Sequence, residues 1–150
     1  MVESQLAHPN AEVRAAAAFA YSQLPKVSAQ TLLKRLEQEG DDRVKARLLI
    51  GLRFIAGPND LAPILSYLKS SIADVRTQAL LTIGEALRRH RGNVNGLSPT
   101  ILSPMWTDET PEVRFAMAYL FSQFKALPES HALHLSLIHI SEPTRLTSIE

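Results

Sequence analysis

The segment IADVRTQALLTIGEAL, residues 72–87, decides the fold class of this chain. Counted from Val75, apolar residues recur at helical spacing at Ala79 and Ile83, and the basic residue Arg76 directly follows the valine. This period predicts an amphipathic α-helix that buries one apolar stripe and exposes its other side.

The same pattern occurs four times along the chain. A valine followed by arginine or lysine opens four apolar helical segments, at Val13, Val44, Val75 and Val113. Val13 and Val44 are 31 residues apart, as are Val44 and Val75, and Val113 follows 38 residues after Val75. A repeated period of this size indicates an array in which each unit packs on its neighbours.

Signals for helix starts and breaks define the unit. Asp41 and Asp42, just ahead of Val44, suit an N-cap, and Ser71–Asp74 matches a capping box. Thr110-Pro111 suits an N-cap followed by proline at the first helical position. Shorter apolar segments such as SAQTLLKRLEQE, residues 28–39, precede the long ones, and Pro104 should end or kink the last of them. The sequence therefore predicts an all-α fold of about four helix pairs, the first and last incomplete.

Two stretches carry a resemblance to a known family. HPNAEVRAAAAFA, residues 8–20, and residues 58–87 resemble HEAT repeats, especially the short bacterial type of phycobilin-lyase-like proteins. The shared features are an acidic residue before the valine, the Val-Arg pair and the small-residue run after it, with Gly84 where the family often has glycine. Arg43 and Lys45 depart from the family pattern. The resemblance covers roughly residues 1–134 and implies a right-handed superhelix that acts as a scaffold.

The first recognisable element is the second helix of a pair. An uncovered first repeat would expose Phe19, Tyr21 and Leu24. We therefore expect residues 1–134 to be a solenoid fragment of a longer array.

The last residues differ from the rest. LSLIHISEPTR, residues 135–145, resembles the conceptual translation of an adapter used in transposase-based DNA sequencing, and a variable index would follow it. Pro143 and the polar residues around it break a helix. We expect residues 135–150 to form no stable fold and to lie outside the biological chain.

Composition excludes several classes of protein. The chain has 150 residues, 45% hydrophobic residues, a formal charge of +1 and no cysteine. Disulfides and thiolate metal sites are excluded, and the composition fits a reducing compartment, so we expect a cytoplasmic protein. No apolar run is long enough to span a bilayer, so no membrane partner is predicted.

The recurring charges are the first candidate site. One basic residue per repeat, with an acidic neighbour in most repeats, predicts a structural ladder between repeats formed by Glu12, Arg14, Lys45, Asp74, Arg76, Glu112 and Arg114. A basic track for phosphate is the alternative interpretation.

The second candidate is the basic cluster before the longest loop, formed by Arg88, Arg89, His90 and Arg91. Cations at a helix C-terminus are favoured by the helix dipole. Because insertions in repeat proteins cluster on the binding face, the cluster is also a possible contact for a protein or, less favoured, for nucleic acid.

The sequence contains no recognised catalytic motif, and we predict no metal or cofactor. Our first hypothesis is a non-catalytic scaffold for another protein, which would use exposed positions of the long helices such as Gln23, Arg47, Arg53, Gln78 and Glu85. The resemblance also implies two alternatives: a subunit similar to bilin lyases, or a nucleic-acid-binding protein related to HEAT-like alkylpurine DNA glycosylases.

Overall fold

The computed structural model describes residues 1–125, and all regular secondary structure in this part of the chain is helical. The all-α prediction is confirmed for these residues, whereas residues 126–134 and the predicted adapter-like tail, residues 135–150, lie outside them. Two 3-10 segments, Ser66–Lys69 and Ser103–Thr107, continue the fifth and seventh helices. The helices are α1 Val2–Gln5, α2 Ala11–Ser22, α3 Ala29–Gln38, α4 Asp42–Ile55, α5 Leu61–Leu65, α6 Ala73–Arg89, α7 Pro99–Leu102 and α8 Pro111–Lys125.

Four long helices, α2, α4, α6 and α8, pack on one another in chain order. The most extensive contacts join α2 to α4, α4 to α6, and α6 to α8. Each long helix also packs against the short helix or 3-10 segment that precedes it. Short and long helices therefore alternate, in the order that the repeated pattern predicts.

The helix starts follow local side-chain chemistry. The Asp41 carboxylate accepts from the backbone N–H groups of Arg43 and Val44, which confirms the predicted N-cap of α4. The predicted capping box at Ser71 is wrong, because α6 begins at Ala73 and has no side-chain cap. The side chain of Asp74 instead accepts from the amide of Gln78.

A leucine-rich core lies between the helices. Its largest fully buried side chains are Leu32, Leu36, Leu48, Leu49, Leu52, Leu61, Ile64, Leu68, Leu80, Ile83 and Leu87. Phe19 of α2 and Leu24, just after this helix, are exposed as expected, but the expectation for Tyr21 is wrong. Its ring is buried and its hydroxyl accepts from the N–H of Ser28, so the turn after α2 covers it.

No helix within residues 1–125 combines the length and apolar character that crossing a bilayer requires.

Glycine sets how closely α2 and α4 approach. A Cβ added at Gly51 would lie 2.9 Å from the carbonyl oxygen of Ala18 and 3.0 Å from Leu32 Cδ1. A backbone atom cannot move aside as the end of a flexible side chain can. Gly51 is therefore required by packing between helices rather than by its own backbone conformation.

We expect Gly51→Ala to lower the free energy of unfolding by about 1–2 kcal/mol, because the overpacking outweighs the helix preference of alanine. Urea unfolding followed by circular dichroism measures the change. Gly40→Ala is the matched control, since nothing lies within 4 Å of a Cβ at Gly40. Equal stability of the two variants would contradict a close approach of α2 and α4.

Candidate functional site

One residue with a repeated role lies at the turn before each long helix. These four residues, called the joint residues below, come six positions before the basic residue of each repeat: His8, Glu39, Ser70 and Asp108. The side chain of each accepts from the backbone N–H two residues later, at 3.0, 3.0, 3.1 and 2.9 Å respectively. The four turns are therefore closed by the same hydrogen bond, although their side chains differ.

Arginine connects successive joints. Arg14, Arg76 and Arg114 each donate from Nη1 to the carbonyl oxygen of their own joint residue, at 2.8, 2.9 and 2.7 Å. The other two nitrogens of the Arg14 guanidinium group, Nε and Nη2, donate to the two carboxylate oxygens of Glu39, at 2.9 and 3.0 Å. Arg76 binds Asp108 with the same two distances. Each of these two arginines thus ties its own turn to the turn of the next helix pair.

The two carboxylates are well shielded from solvent. The side chains of Glu39 and Asp108 are 6% and 9% exposed. Burial by itself would raise the pKa of each carboxyl group, but hydrogen bonds from the arginine and from backbone N–H groups outweigh it, and both pKa values are lowered. The hydrogen bond with Glu39 is also the main reason why the pKa of Arg14 is raised.

The acids of the predicted ladder lie elsewhere. Glu12 pairs with Arg43 at 3.3 Å, where both side chains are 76% exposed, and Glu112 is exposed at the start of α8. Within residues 1–125, neither Glu12 nor Asp74 forms an ion pair with a ladder arginine. Glu39 and Asp108 were not among the predicted ladder residues. Each lies six residues before the basic residue that follows a repeat valine, and this constant distance is the signal that identifies them.

The middle joint has different chemistry. Ser70 occupies the joint position that follows Lys45 and offers no carboxylate. Lys45 forms an ion pair with Asp42 in its own helix, at 3.4 Å. Lysine and serine thus occur together at the one internal joint that lacks the bidentate pair.

Glu39→Gln should lower stability at pH 7 by about 1–3 kcal/mol, because it removes a charged partner of the shielded Arg14. A lowered folded-state pKa gives stability that is present above the unfolded value of about 4 and is lost as pH falls through the folded value. The difference in the free energy of unfolding between wild type and Glu39→Gln should therefore become smaller as the pH falls from about 5 to about 2.5.

Urea unfolding over this pH range checks the expectation. Glu12→Gln, in an exposed pair, is the control and should change stability by less than about 1 kcal/mol. A difference that does not depend on pH would mean that packing, rather than charge, stabilises the joint.

Combining Lys45→Arg with Ser70→Asp should build the missing pair, since it supplies the residues found at the Arg76–Asp108 joint. In a double-mutant cycle we expect a favourable coupling of at least about 0.5 kcal/mol. Lys45→Arg with Ser71→Asp is the control, because Ser71 is next to the joint position without occupying it. If the two cycles give the same coupling free energy, the position of the new acid does not matter. The joint at Ser70 would then not be equivalent to the joint at Asp108.

The basic cluster at the end of α6 is divided between two roles. Arg89 donates to the carbonyl oxygens of Arg53 and Ala56, both at 2.7 Å, and His90 Nε2 lies 3.2 Å from the same Ala56 oxygen. These contacts satisfy the C-terminal carbonyl groups of α4, which have no partner within their helix. Arg88, by contrast, is exposed and forms an ion pair with Glu85 at 2.9 Å.

Arg91 is also exposed and has a positive φ of 53°. Two of the four predicted partner-binding residues, Arg88 and Arg91, are therefore exposed, whereas Arg89 and His90 bind the end of α4.

Arg89→Ala should lower the free energy of unfolding by about 1–3 kcal/mol, because two partly buried carbonyl groups lose a charged donor. Thermal or urea unfolding measures the loss. Arg91→Ala removes a neighbouring exposed arginine and should stay within about 0.5 kcal/mol of wild type. If the two variants are equally stable, Arg89 does not cap α4.

The long helices border a groove. It encloses about 470 Å³ above the first half of α4, with α2 on one side and α6 on the other. Its lining consists of Ala11, Glu12, Ala15, Arg43, Val44, Ala46, Arg47, Ile50, Asp74 and Gln78. The groove, together with the exposed rings described next, is called the long-helix face below.

Aromatic rings lie exposed on the long-helix face. Phe19 of α2 and Phe54 of α4 are 47% and 48% exposed, and their rings meet edge to face with centroids 6.1 Å apart. Phe115 is 75% exposed and has the position in α8 that Ala15 and Ala46 have in the groove. Exposed aromatic residues beside a groove are typical of a binding surface.

A polar cluster borders these rings. Arg53 donates to Gln78, and the Tyr119 hydroxyl donates to Glu85, which also accepts from Arg88. Burial, followed by the hydrogen bond to Glu85, raises the pKa of Tyr119 to about 12. The suggested contact residues Gln23, Arg47, Arg53, Gln78 and Glu85 are all exposed or half-buried.

Trp106, the single tryptophan of the chain, has ordinary structural surroundings. Trp106 is half-buried and packs edge to face on Phe121, with centroids 5.3 Å apart. The remaining histidines near the C-terminus lie outside the described residues. Among residues 1–125, no three histidine, aspartate or glutamate side chains converge as metal ligands.

The chain matches no model of a known protein family, and no curated protein sequence is similar to it.

Proposed function

We propose that this chain is a HEAT-repeat-like, right-handed superhelical scaffold without catalytic activity, which holds another protein on its long-helix face. The observation that carries the proposal is the exposed Phe19–Phe54 pair beside a groove bordered by three successive long helices. Burial of these rings by a partner would remove apolar surface from water and so favour binding. The repeated joints support the repeat assignment, and the cysteine-free composition favours a cytoplasmic location.

Nucleic acid is a weaker candidate. The long-helix face mixes both signs of charge, since Glu12, Asp74 and Glu85 lie among its arginines. A phosphate backbone requires a surface on which positive charge predominates. In the basic cluster, Arg89 and His90 are directed at the α4 carbonyl groups.

A random-peptide library displayed on phage is a suitable first probe. Peptides enriched on the purified chain should slow hydrogen exchange in α2, α4 and α6 and on no short helix. Their affinity for Phe19→Ala/Phe54→Ala should fall at least about tenfold, as expected when a hydrophobic contact of about 1.4 kcal/mol is lost.

Lys34→Ala/Glu37→Ala is the matched control, because both residues are exposed on α3 and line a different groove. This variant should bind the enriched peptides as wild type does. Protection confined to the short helices, or no enrichment above an unrelated helical protein, would reject the long-helix face as the binding surface.

A further inference from the structure

Arg47 is the charged residue of the groove that has no partner within the described part of the chain. It is exposed on α4 and lines the groove. Its charged neighbours are already engaged: Arg43 pairs with Glu12, and Asp74 accepts from Gln78 at 3.2 Å. Within residues 1–125, the guanidinium group of Arg47 makes no hydrogen bond or ion pair. Its five donors are free to bind a planar anion with two oxygens.

Arg47 shares one side of α4 with the exposed aromatic pair. Arg47, Ile50 and Phe54 have the spacing i, i+3 and i+7, which places them on one face of the helix. A rise of 1.5 Å per residue puts Arg47 and Phe54 about 10 Å apart along the axis. Ile50, half-buried between them, provides an apolar connection from the groove to the rings.

The groove has room for a short extended segment. Its lining includes the small residues Ala11, Ala15 and Ala46, so a backbone can approach closely. A groove of about 470 Å³ has room for a short segment of chain. In the polyproline II conformation, residues i and i+3 lie on the same side and are about 9 Å apart. This separation is close to that between Arg47 and Phe54.

We propose that Arg47 and the Phe19–Phe54 pair together bind one extended peptide segment, in which a carboxylate and an aromatic or large aliphatic side chain are three residues apart. The carboxylate accepts two hydrogen bonds from the guanidinium group of Arg47, and the apolar side chain packs on the two rings. This inference rests on the proposed function and specifies its partner.

The surrounding charges limit how acidic the segment is. Glu12 and Asp74 line the same groove as Arg47 and repel further negative charge. One carboxylate is neutralised by Arg47, but a run of acidic residues or a phosphodiester chain would also face these two acids. The preferred segment therefore carries a single acidic residue at the binding position.

The test compares peptides that a random library yields on three forms of the chain: wild type, Arg47→Glu and Lys34→Glu. Wild type and Lys34→Glu should enrich the same pattern, with Asp or Glu three residues from an aromatic or large aliphatic residue. Peptides enriched on Arg47→Glu should have Lys or Arg in place of the acid, or should show no preference at that position. Lys34 is an exposed cation on α3 and provides the matched charge reversal.

A second measurement places the carboxylate on Arg47. For a peptide enriched on wild type, changing its acid to the amide should weaken binding about tenfold, as expected for one charge-assisted hydrogen bond. On Arg47→Gln the same change in the peptide should have no effect. Unchanged thermal unfolding of Arg47→Gln would show that the fold is intact.

Two outcomes overturn the inference. In the first outcome, the enriched peptides lack the acid. In the second, changing the acid to the amide still weakens binding to Arg47→Gln. Arg47 would then not be the residue that binds the carboxylate. If such peptides still protect α2, α4 and α6 from hydrogen exchange, the proposed function stands without this specificity. If they protect only the short helices, the proposed function itself fails.

Discussion

The structure depends on an arginine that binds two turns at once. Arg14 and Arg76 each hold the carbonyl oxygen of their own turn and the carboxylate of the next turn. A single side chain therefore sets both the local turn and the position of the neighbouring helix pair. The planar guanidinium group makes this possible, because its donors point in fixed directions. Lysine has one compact ammonium group and cannot satisfy both acceptors with the same geometry.

Apolar packing holds the helices together where that interaction is missing. The joint after Lys45 has serine in place of a carboxylate, yet α4 and α6 still pack extensively. Leu49, Leu52 and Leu80 are fully buried in this region. The Thr82 hydroxyl, also buried, lies 2.7 Å from the Leu49 carbonyl oxygen. The hydrophobic effect thus supplies the cohesion, and the arginine joints specify the relative placement of neighbouring pairs.

The proposed binding surface is separate from the joints because of helix periodicity. The basic ladder residue directly follows the valine of each repeat, and Arg14 and Arg76 reach from this position to a carboxylate of the neighbouring pair. Arg47, Ile50 and Phe54 follow their valine by three, six and ten residues and share another face of the helix. The joints can therefore be altered without touching the surface, and the surface without loosening the joints. This separation is what makes the matched variants informative.

The sequence by itself determined the helical class, the order of short and long helices, an acidic N-cap ahead of Val44 and the end of the seventh α-helix near Pro104. These features depend on residues within one helical turn of each other, so their pattern is visible in the chain. Only the tertiary structure decided which acids bind the ladder arginines, that Tyr21 is covered, and that Arg89 binds the end of α4. The arginine contacts join residues 25 to 36 positions apart, and Tyr21 meets Ser28 through the turn that follows its helix. Their distance in space depends on how the helices pack, which local periodicity does not specify.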